Sequence, residues 1–447
     1  MPLHVAHFVP RYPPALGGAE SYARRLSEYL TAAGDSVTVW TTTAVTLEEM
    51  WTDTLRRERA SGTGGPLARS RRRGTPAGDR SVVSVTRYFP LTFPLRRYVL
   101  KAISLFPIRT LQSLAQPVNP ICPAMWRDVH RFSGPLDAVH AFAFPYSFPI
   151  VCALRLARRR RVPFLLTPFL HLGDPTDPRD RTRKQYTRPH LKWLLRQADA
   201  VFAQTESERR AVVELGVPED RAILQGLGVD AVECTGGGRA RARCQWGVSD
   251  TEMVVGHLAN NSVEKGTVDL LNAAADTGTR VVLAGPEMPN FRHFWDTFPR
   301  KELVTRLGPL TEEQKRDFFA GIDVFALPSR TDSFGLVLLE AWANGVPVLA
   351  YRAGGPADLV SHGTDGFLAK CGDVTDLANR LSELTTDAAL RSRLGDAGRA
   401  RVATDFRWPD KLRVVTEVLE RLANPPRSQA RGDDSPPVVA ASLRAGQ

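Results

Sequence analysis

The chain has 447 residues, 43% of them hydrophobic and 24% charged, enough for two or three domains with ample cores. Its formal net charge of +11 suits anionic partners: nucleotides, phosphates, nucleic acid or acidic lipid headgroups. The 5 cysteines show no CxxC or Cys/His metal spacing, and no run of about 18 apolar residues occurs, which argues against a disulfide framework, a structural metal and a membrane-spanning helix.

In chain order, LHVAHFV (3–9), SVTVWTT (36–42), RSVVSVTRY (80–88), DAVHAF (137–142), PFLLTPF (163–169) and DAVFAQT (199–205) have strand character. Several are nearly continuous apolar runs, as in a parallel sheet covered on both faces. The chain opens on a strand rather than a signal peptide, so a reducing, cytoplasmic compartment is expected. Helical patterns at 21–34 and 206–216 alternate with the strands. This predicts a doubly wound α/β domain over 1–232. ECTGGGRARARCQW (233–246) breaks the pattern with glycines and alternating arginines and reads as a linker. Alternation restarts with MVVGHLA (253–259), a helix around 268–276, RVVLAGP (280–286), a helix around 311–321, DVFALPS (323–329) and VPVLAYR (346–352). That predicts a second Rossmann-like domain over 233–408. The last helix, about 409–424, is expected to pack back on the first domain. The proline-rich, polar segment 425–447 predicts a disordered tail, and 52–79 reads as a loose loop. The arginine clusters at 68–75 and 157–164 read as solvated loops and helix ends.

TDSFGLVLLEAWANGVPVLA (331–350) places two carboxylates, Asp332 and Glu340, in an otherwise apolar run. A helix from about Ser333 to Asn344 turns Leu338, Ala341 and Trp342 into the core and leaves Glu340 on the face of Ser333. The two acids are then on the order of 12 Å apart, with the free amides of the first turn between them, a site for anions. A nucleotide-diphosphate sugar fits this spacing, with ribose at Glu340 and the transferred sugar at Asp332. The plain alternative makes Asp332 an N-cap and Glu340 a surface acid. ANNSVEKGTVDLL (259–271) follows a strand and opens a helix, which puts Lys265 and Gly266 at the sheet edge where open α/β sheets bind ligands. A lysine there reaches a pyrophosphate or stays in solvent. Gly17 and Gly18, between the first strand and first helix, allow close approach to a phosphate or sugar, or form a plain tight loop.

Together these residues resemble the GT-B glycosyltransferases, specifically family 4 of the retaining enzymes, over nearly the whole chain. The Gly17-Gly18 loop, GVD (228–230), EKG (264–266), LAGP (283–286), LPSRTDSFGLVLLEAWANGVPVLA and DGFLAKCGD (365–373) come in that family's order. The resemblance implies two doubly wound Rossmann-like domains facing a central cleft, a nucleotide-diphosphate sugar donor and no further cofactor. It implies that Glu340 binds the donor ribose and that Asp332 meets the transferred sugar. Lys265 and the backbone at Ser333, Phe334, Gly335 and Leu336 would hold the diphosphate, with Gly17 and Gly18 closing over it. The implied catalytic set is Lys265, Asp332 and His171, the last in TPFLHLGDP at the place of the family's N-domain histidine. The other reading of His171 is an ordinary loop histidine. Two positions depart from the family pattern. The first acid is Asp rather than Glu, one methylene shorter. His257 stands where an arginine is common, which leaves Asn260 or Asn261 to supply that phosphate contact.

The resemblance further implies transfer with retention and without a metal ion. The leaving diphosphate oxygen takes the acceptor's proton, and Lys265 and the helix N-terminus stabilise the departing charge. The acceptor is expected to be a small metabolite or glycan offering a hydroxyl or thiol to the first domain. Residues 88–122 are aromatic, basic and proline-broken. They bind such a metabolite, lie on a membrane as a peripheral contact, or form a pair of core helices. Competing functions on this fold are a nucleotide-sugar epimerase, a phosphorylase, and a non-catalytic basic scaffold for nucleic acid. Intact Lys265, Asp332 and Glu340 argue against the scaffold, so no nucleic-acid partner is expected.

Overall fold

The computed structural model describes residues 2–51, 83–177 and 179–424. The loop expected at 52–79 and the tail expected over 425–447 lie outside the described residues, as do 80–82 of the third expected strand. The first sheet holds β1 (His4–Phe8), β2 (Ser36–Thr42), β3 (Ser84–Tyr88), β4 (Ala138–Phe142), β5 (Phe164–Thr167), β6 (Ala200–Ala203) and β7 (Ala222–Leu224). Its order is β3-β2-β1-β4-β5-β6-β7, and neighbouring strands run parallel. The second sheet holds β8 (Val254–Leu258), β9 (Arg280–Ala284), β10 (Val304–Gly308), β11 (Val324–Leu327), β12 (Val348–Tyr351) and β13 (Gly366–Ala369). Its order is β10-β9-β8-β11-β12-β13, again parallel.

Both sheets change winding direction at one point, between β1 and β4 and between β8 and β11. Loops leaving neighbouring strands there turn to opposite faces and leave a crevice at the carboxyl edge. The Gly17-Gly18, Lys265 and Asp332 loops follow β1, β8 and β11, so all three open at these switch points. The central strands β4, β5, β6, β11 and β12 are buried along their whole length, which is why they read as unbroken apolar runs. β7, β10 and β13 are not among the strands that the sequence pattern predicts. They stand at sheet edges, and β10 (VTRLG) is half-exposed and carries no apolar run.

The linker expected over 233–246 is mostly helical. Ala231–Cys234 and Arg239–Trp246 are helices, with Thr235–Gly238 between them. The alternating arginines, suggestive of a loop, pair with acids elsewhere in the second domain. Arg239 and Arg243 both meet Asp323 (2.7 and 2.6 Å), and Arg241 meets Asp317 (2.6 Å). The helix Trp408–Ala423 lies against the first domain, with Trp408 beside Tyr22 and the Lys411 carbonyl accepting from Gln225 (3.3 Å).

Candidate active site

After β11 the chain runs from Pro328 to Gly335 before the helix Leu336–Ala343 begins. The helix therefore starts later than Ser333, where the sequence pattern places it. Gly335 sits at the N-cap with φ 94°, a left-handed conformation through which no right-handed helix continues. Asp332 is consequently not the N-cap. Its Oδ1 accepts from the Phe334 amide within the loop (3.2 Å). Gly355 braces this loop from behind: its amide donates to the Asp332 carbonyl (2.8 Å), and a Cβ there would collide with Phe334. Leu338, Ala341 and Trp342 are fully buried, as their spacing predicts. Burying a side chain as large as Leu338 stabilises the fold by roughly 1.5–3 kcal/mol and pins the helix against the sheet. The amides of Gly335, Leu336 and Val337 find no acceptor among the described residues and point out at the helix start.

The two acids are each paired with a lysine. Lys265, on the loop after β8, donates to Asp332 Oδ2 (2.6 Å) and to the Thr331 carbonyl (3.4 Å). Burial works against the Asp332 charge, but Lys265, His171 and the Phe334 amide outweigh it and hold the carboxyl below the ordinary Asp range. At the other end, Glu340 Oε1 accepts from Lys315 (3.0 Å), while Oε2 is buried and has no partner among the described residues. Burial pushes the Glu340 carboxyl up, with Lys315 pulling it back. Lys315 also meets Glu312 (3.0 Å). Nothing in TEEQKRDFF marks Lys315 for this place, and sequence reasoning misses it.

The first domain brings His171 to the same point. Its Nδ1 lies 3.4 Å from Thr331 Oγ1, and its ring packs on Tyr186. Burial, with Lys265 nearby, lowers His171 to about 4, so the imidazole is neutral at neutral pH. Glu208, in the first turn of the helix Glu206–Glu214, holds this loop by accepting from the amides of Leu170 (2.6 Å) and Gln204 (2.7 Å). Gly17 is the N-cap of the helix Gly18–Ala32. A Cβ on Gly18 would stand 3.7 Å from Leu336, which sets the glycine loop directly over the start of the 336–343 helix. The buried pair Arg11–Glu20 (2.5 Å) supports that loop.

His257 makes no contact of the kind expected of the family's arginine. It is buried, with Nδ1 on the Ala326 carbonyl (2.8 Å) and Nε2 on Thr267 (3.0 Å), so it ties β8 to β11 and to the next helix. Asn261 is buried and donates to the Gly285 carbonyl (3.2 Å), while its Oδ1 has no partner among the described residues. Asn260 is exposed, and Ser333 is half-buried at the loop surface. The domains are also joined by links that sequence reasoning misses. Arg330 bridges Asp174 of the first domain (3.0 Å) and Asp269 of the second (2.6 Å), and Ser207 Oγ donates to Asp358 (2.8 Å).

Asp332, Lys265 and the neutral His171 thus stand at a helix N-terminus, with Glu340 and Lys315 paired one turn along that helix. Residues 17–228 match the family model described as a glycosyl transferase 4-like domain, and residues 239–401 the one described as glycosyl transferases group 1. The chain belongs to the group 1 glycosyl transferases. The chain is 32% identical over 255 residues to the D-inositol 3-phosphate glycosyltransferase of Stackebrandtia nassauensis, a stretch covering 52% of this chain and 57% of that one. Across the first such relatives the covered share is 57%, 51% and 44%, so the chain spans about half the length of the relatives it matches. Sucrose-phosphate synthase from Thermosynechococcus elongatus superposes with a TM-score of 0.69 at 21% identity, over 94% of this chain and 99% of that one. Anabaena HepE in complex with UDP-glucose gives 0.66 at 19% identity, over 94% and 100%. These likenesses establish the GT-B fold, two doubly wound domains facing a cleft.

Proposed function

We propose that this glycosyl transferase moves a sugar from a nucleotide-diphosphate sugar to a hydroxyl or thiol of a small metabolite or glycan, with retention and without a metal ion. The observation that carries the reading is Glu340 Oε2, a buried carboxylate oxygen with no partner among the described residues, on a helix whose open amides lie one turn away and whose preceding loop carries the lysine-paired Asp332. A ribose hydroxyl satisfies Oε2, and the diphosphate takes the amides of Gly335 to Val337 and the Lys265 ammonium. Lys265 must then leave Asp332, which frees that carboxylate for the transferred sugar. The neutral His171 offers its ring to the same sugar. Gly17 and Gly18 cover the diphosphate from the first domain, and Asn260 and Asn261 flank it. As the donor bond breaks, charge grows on the diphosphate, where Lys265 and the amides are already in place. We adopt the domain division at 232/233, with the helix from about 409 belonging to the first domain. A cytoplasmic location with peripheral contact at the inner membrane face goes with this reading.

HepE is held with UDP-glucose, so UDP-sugars are the first donors to test, followed by GDP-, ADP- and TDP-sugars. A thermal-shift panel reads binding directly, since ligand at about 100 times its Kd stabilises the folded state by roughly 2.7 kcal/mol. One nucleotide class should raise the melting temperature well above the others. Absence of any shift across the panel would remove the donor assignment.

A further inference from the structure

The helix Arg96–Ser104 presents apolar side chains on two faces. Inward, Leu100 is buried, and Arg96 is tethered to the carbonyls of Leu91, Pro117 and Asn119. Outward, Leu95, Tyr98, Val99, Leu105 and Phe106 are 72%, 71%, 43%, 76% and 58% exposed. Tyr98 and Val99 form the helix's outward arc, with Leu95 at its left-handed N-cap and Leu105 and Phe106 at and just past its C-cap extending the apolar surface at either end. Single exposed apolar residues are ordinary, but a grouping of this kind marks a docking surface. Among the described residues no helix is long and apolar enough to cross a membrane, so whatever this face meets, it meets from the side.

Charge selects the partner. Between Asp79 and Asp128 the sequence contains no carboxylate side chain, but it contains Arg80, Arg87, Arg96, Arg97, Lys101, Arg109 and Arg127. Arg97 and Lys101 flank the exposed arc and have no acidic partner among the described residues. A second copy of this chain docked face to face would set these cations against their equals. An anionic lipid surface answers both features at once, with acyl chains for the arc and headgroup phosphates for its flank.

We propose that this face docks on an anionic bilayer, with the helix lying in the interface plane. β3 ends at Tyr88, on the same carboxyl edge of the sheet as the Gly17-Gly18 loop, and Arg87 donates to the Tyr12 carbonyl (3.3 Å). The docked helix leaves from that edge, so the bilayer stands beside the cleft. The inference rests on the peripheral contact proposed above and is independent of the donor assignment. Vesicle binding is read without any sugar nucleotide, so either reading can fail alone.

The full chain is sedimented with vesicles of phosphatidylcholine, alone or with roughly a third phosphatidylglycerol. It should partition onto the anionic vesicles, weakly onto the neutral ones, and less as salt rises. The double variants Leu105→Ser/Phe106→Ser and Arg97→Glu/Lys101→Glu should each lower the partition coefficient by about tenfold or more, with unchanged thermal unfolding. No partition onto anionic vesicles, or partition that neither variant lowers, overturns the proposal. Lipid-free self-association that Leu105→Ser/Phe106→Ser abolishes, without vesicle binding, assigns the face to a second copy and overturns it as well.

Discussion

The two ends of the helix Leu336–Ala343 carry the same chemistry in different states of completion. At its start, Asp332 uses both oxygens inside the protein, one on Lys265 and one on the Phe334 amide. Further along, Glu340 uses one oxygen on Lys315 and leaves the other buried and, among the described residues, unpaired. Buried polar atoms are rarely left so without a purpose. On the function proposed above, the difference separates two tasks: the Glu340 end binds the ligand, and the Asp332 end, closed on itself, is opened by the donor for the reaction.

Lys265→Ala should break the comparison most severely. Turnover is expected to fall on the order of a hundred- to a thousandfold, with a smaller change in affinity for the bare nucleotide, because diphosphate charge grows in the transition state. Steady-state kinetics decide this, and a rise in KM alone would make Lys265 a uniform binder. Lys315→Met acts at the other end. Glu340 then keeps its burial but loses its cation, so its carboxyl titrates still higher and is more protonated at neutral pH. Nucleotide affinity should weaken about tenfold there and recover as pH rises, and Lys315→Arg should restore the original profile.

Asp332→Glu sharpens the contrast with a smaller effect. The extra methylene crowds the sugar position and should lower turnover by about three- to tenfold, leaving the bare nucleotide's affinity unchanged. Equal losses for donor and nucleotide would return Asp332 to a purely structural role. The smallest effect concerns the imidazole facing the Asp332 end. Burial sets His171 near 4, whereas an unfolded histidine titrates near 6.5. Between these values the unfolded chain binds the extra proton, so this contribution to stability is complete above about 6.5 and is lost as pH falls toward 4. His171→Asn should lessen that acid-side loss by at most about 1.4 kcal/mol per pH unit, measured from urea unfolding at several pH values.

Much of this was legible where the chemistry is local. Gly17-Gly18, Lys265, Asp332 and Glu340 each follow a strand or sit on one helix, so spacing alone places them at a sheet edge. The central strands announce themselves by burial on both faces, while the edge strand VTRLG does not. The helix start escaped the pattern because Gly335 reads as an ordinary helix residue until its left-handed backbone is seen. Lys315, Glu208 and Arg330 escaped because their partners, Glu340, Leu170 and Asp174, come from distant elements. The arginines of 239–243 misled for the same reason: their acids, Asp317 and Asp323, lie three strands further on. His257 carries no mark of its role, since only the fold supplies Ala326 and Thr267 to its two nitrogens.

The central claim is that Glu340 is the acid awaiting the nucleotide and Asp332 is not. Calorimetric titration of the bare nucleotide diphosphate, UDP first, into the native chain, Glu340→Ala and Asp332→Ala tests it directly. Glu340→Ala should lose about ten- to a hundredfold in affinity, a charged hydrogen bond worth roughly 1.5–3 kcal/mol. Asp332→Ala should bind as tightly as the native chain or more tightly, because Lys265 is released to the diphosphate. Unchanged affinity in Glu340→Ala, or equal losses in the two variants, would contradict the account.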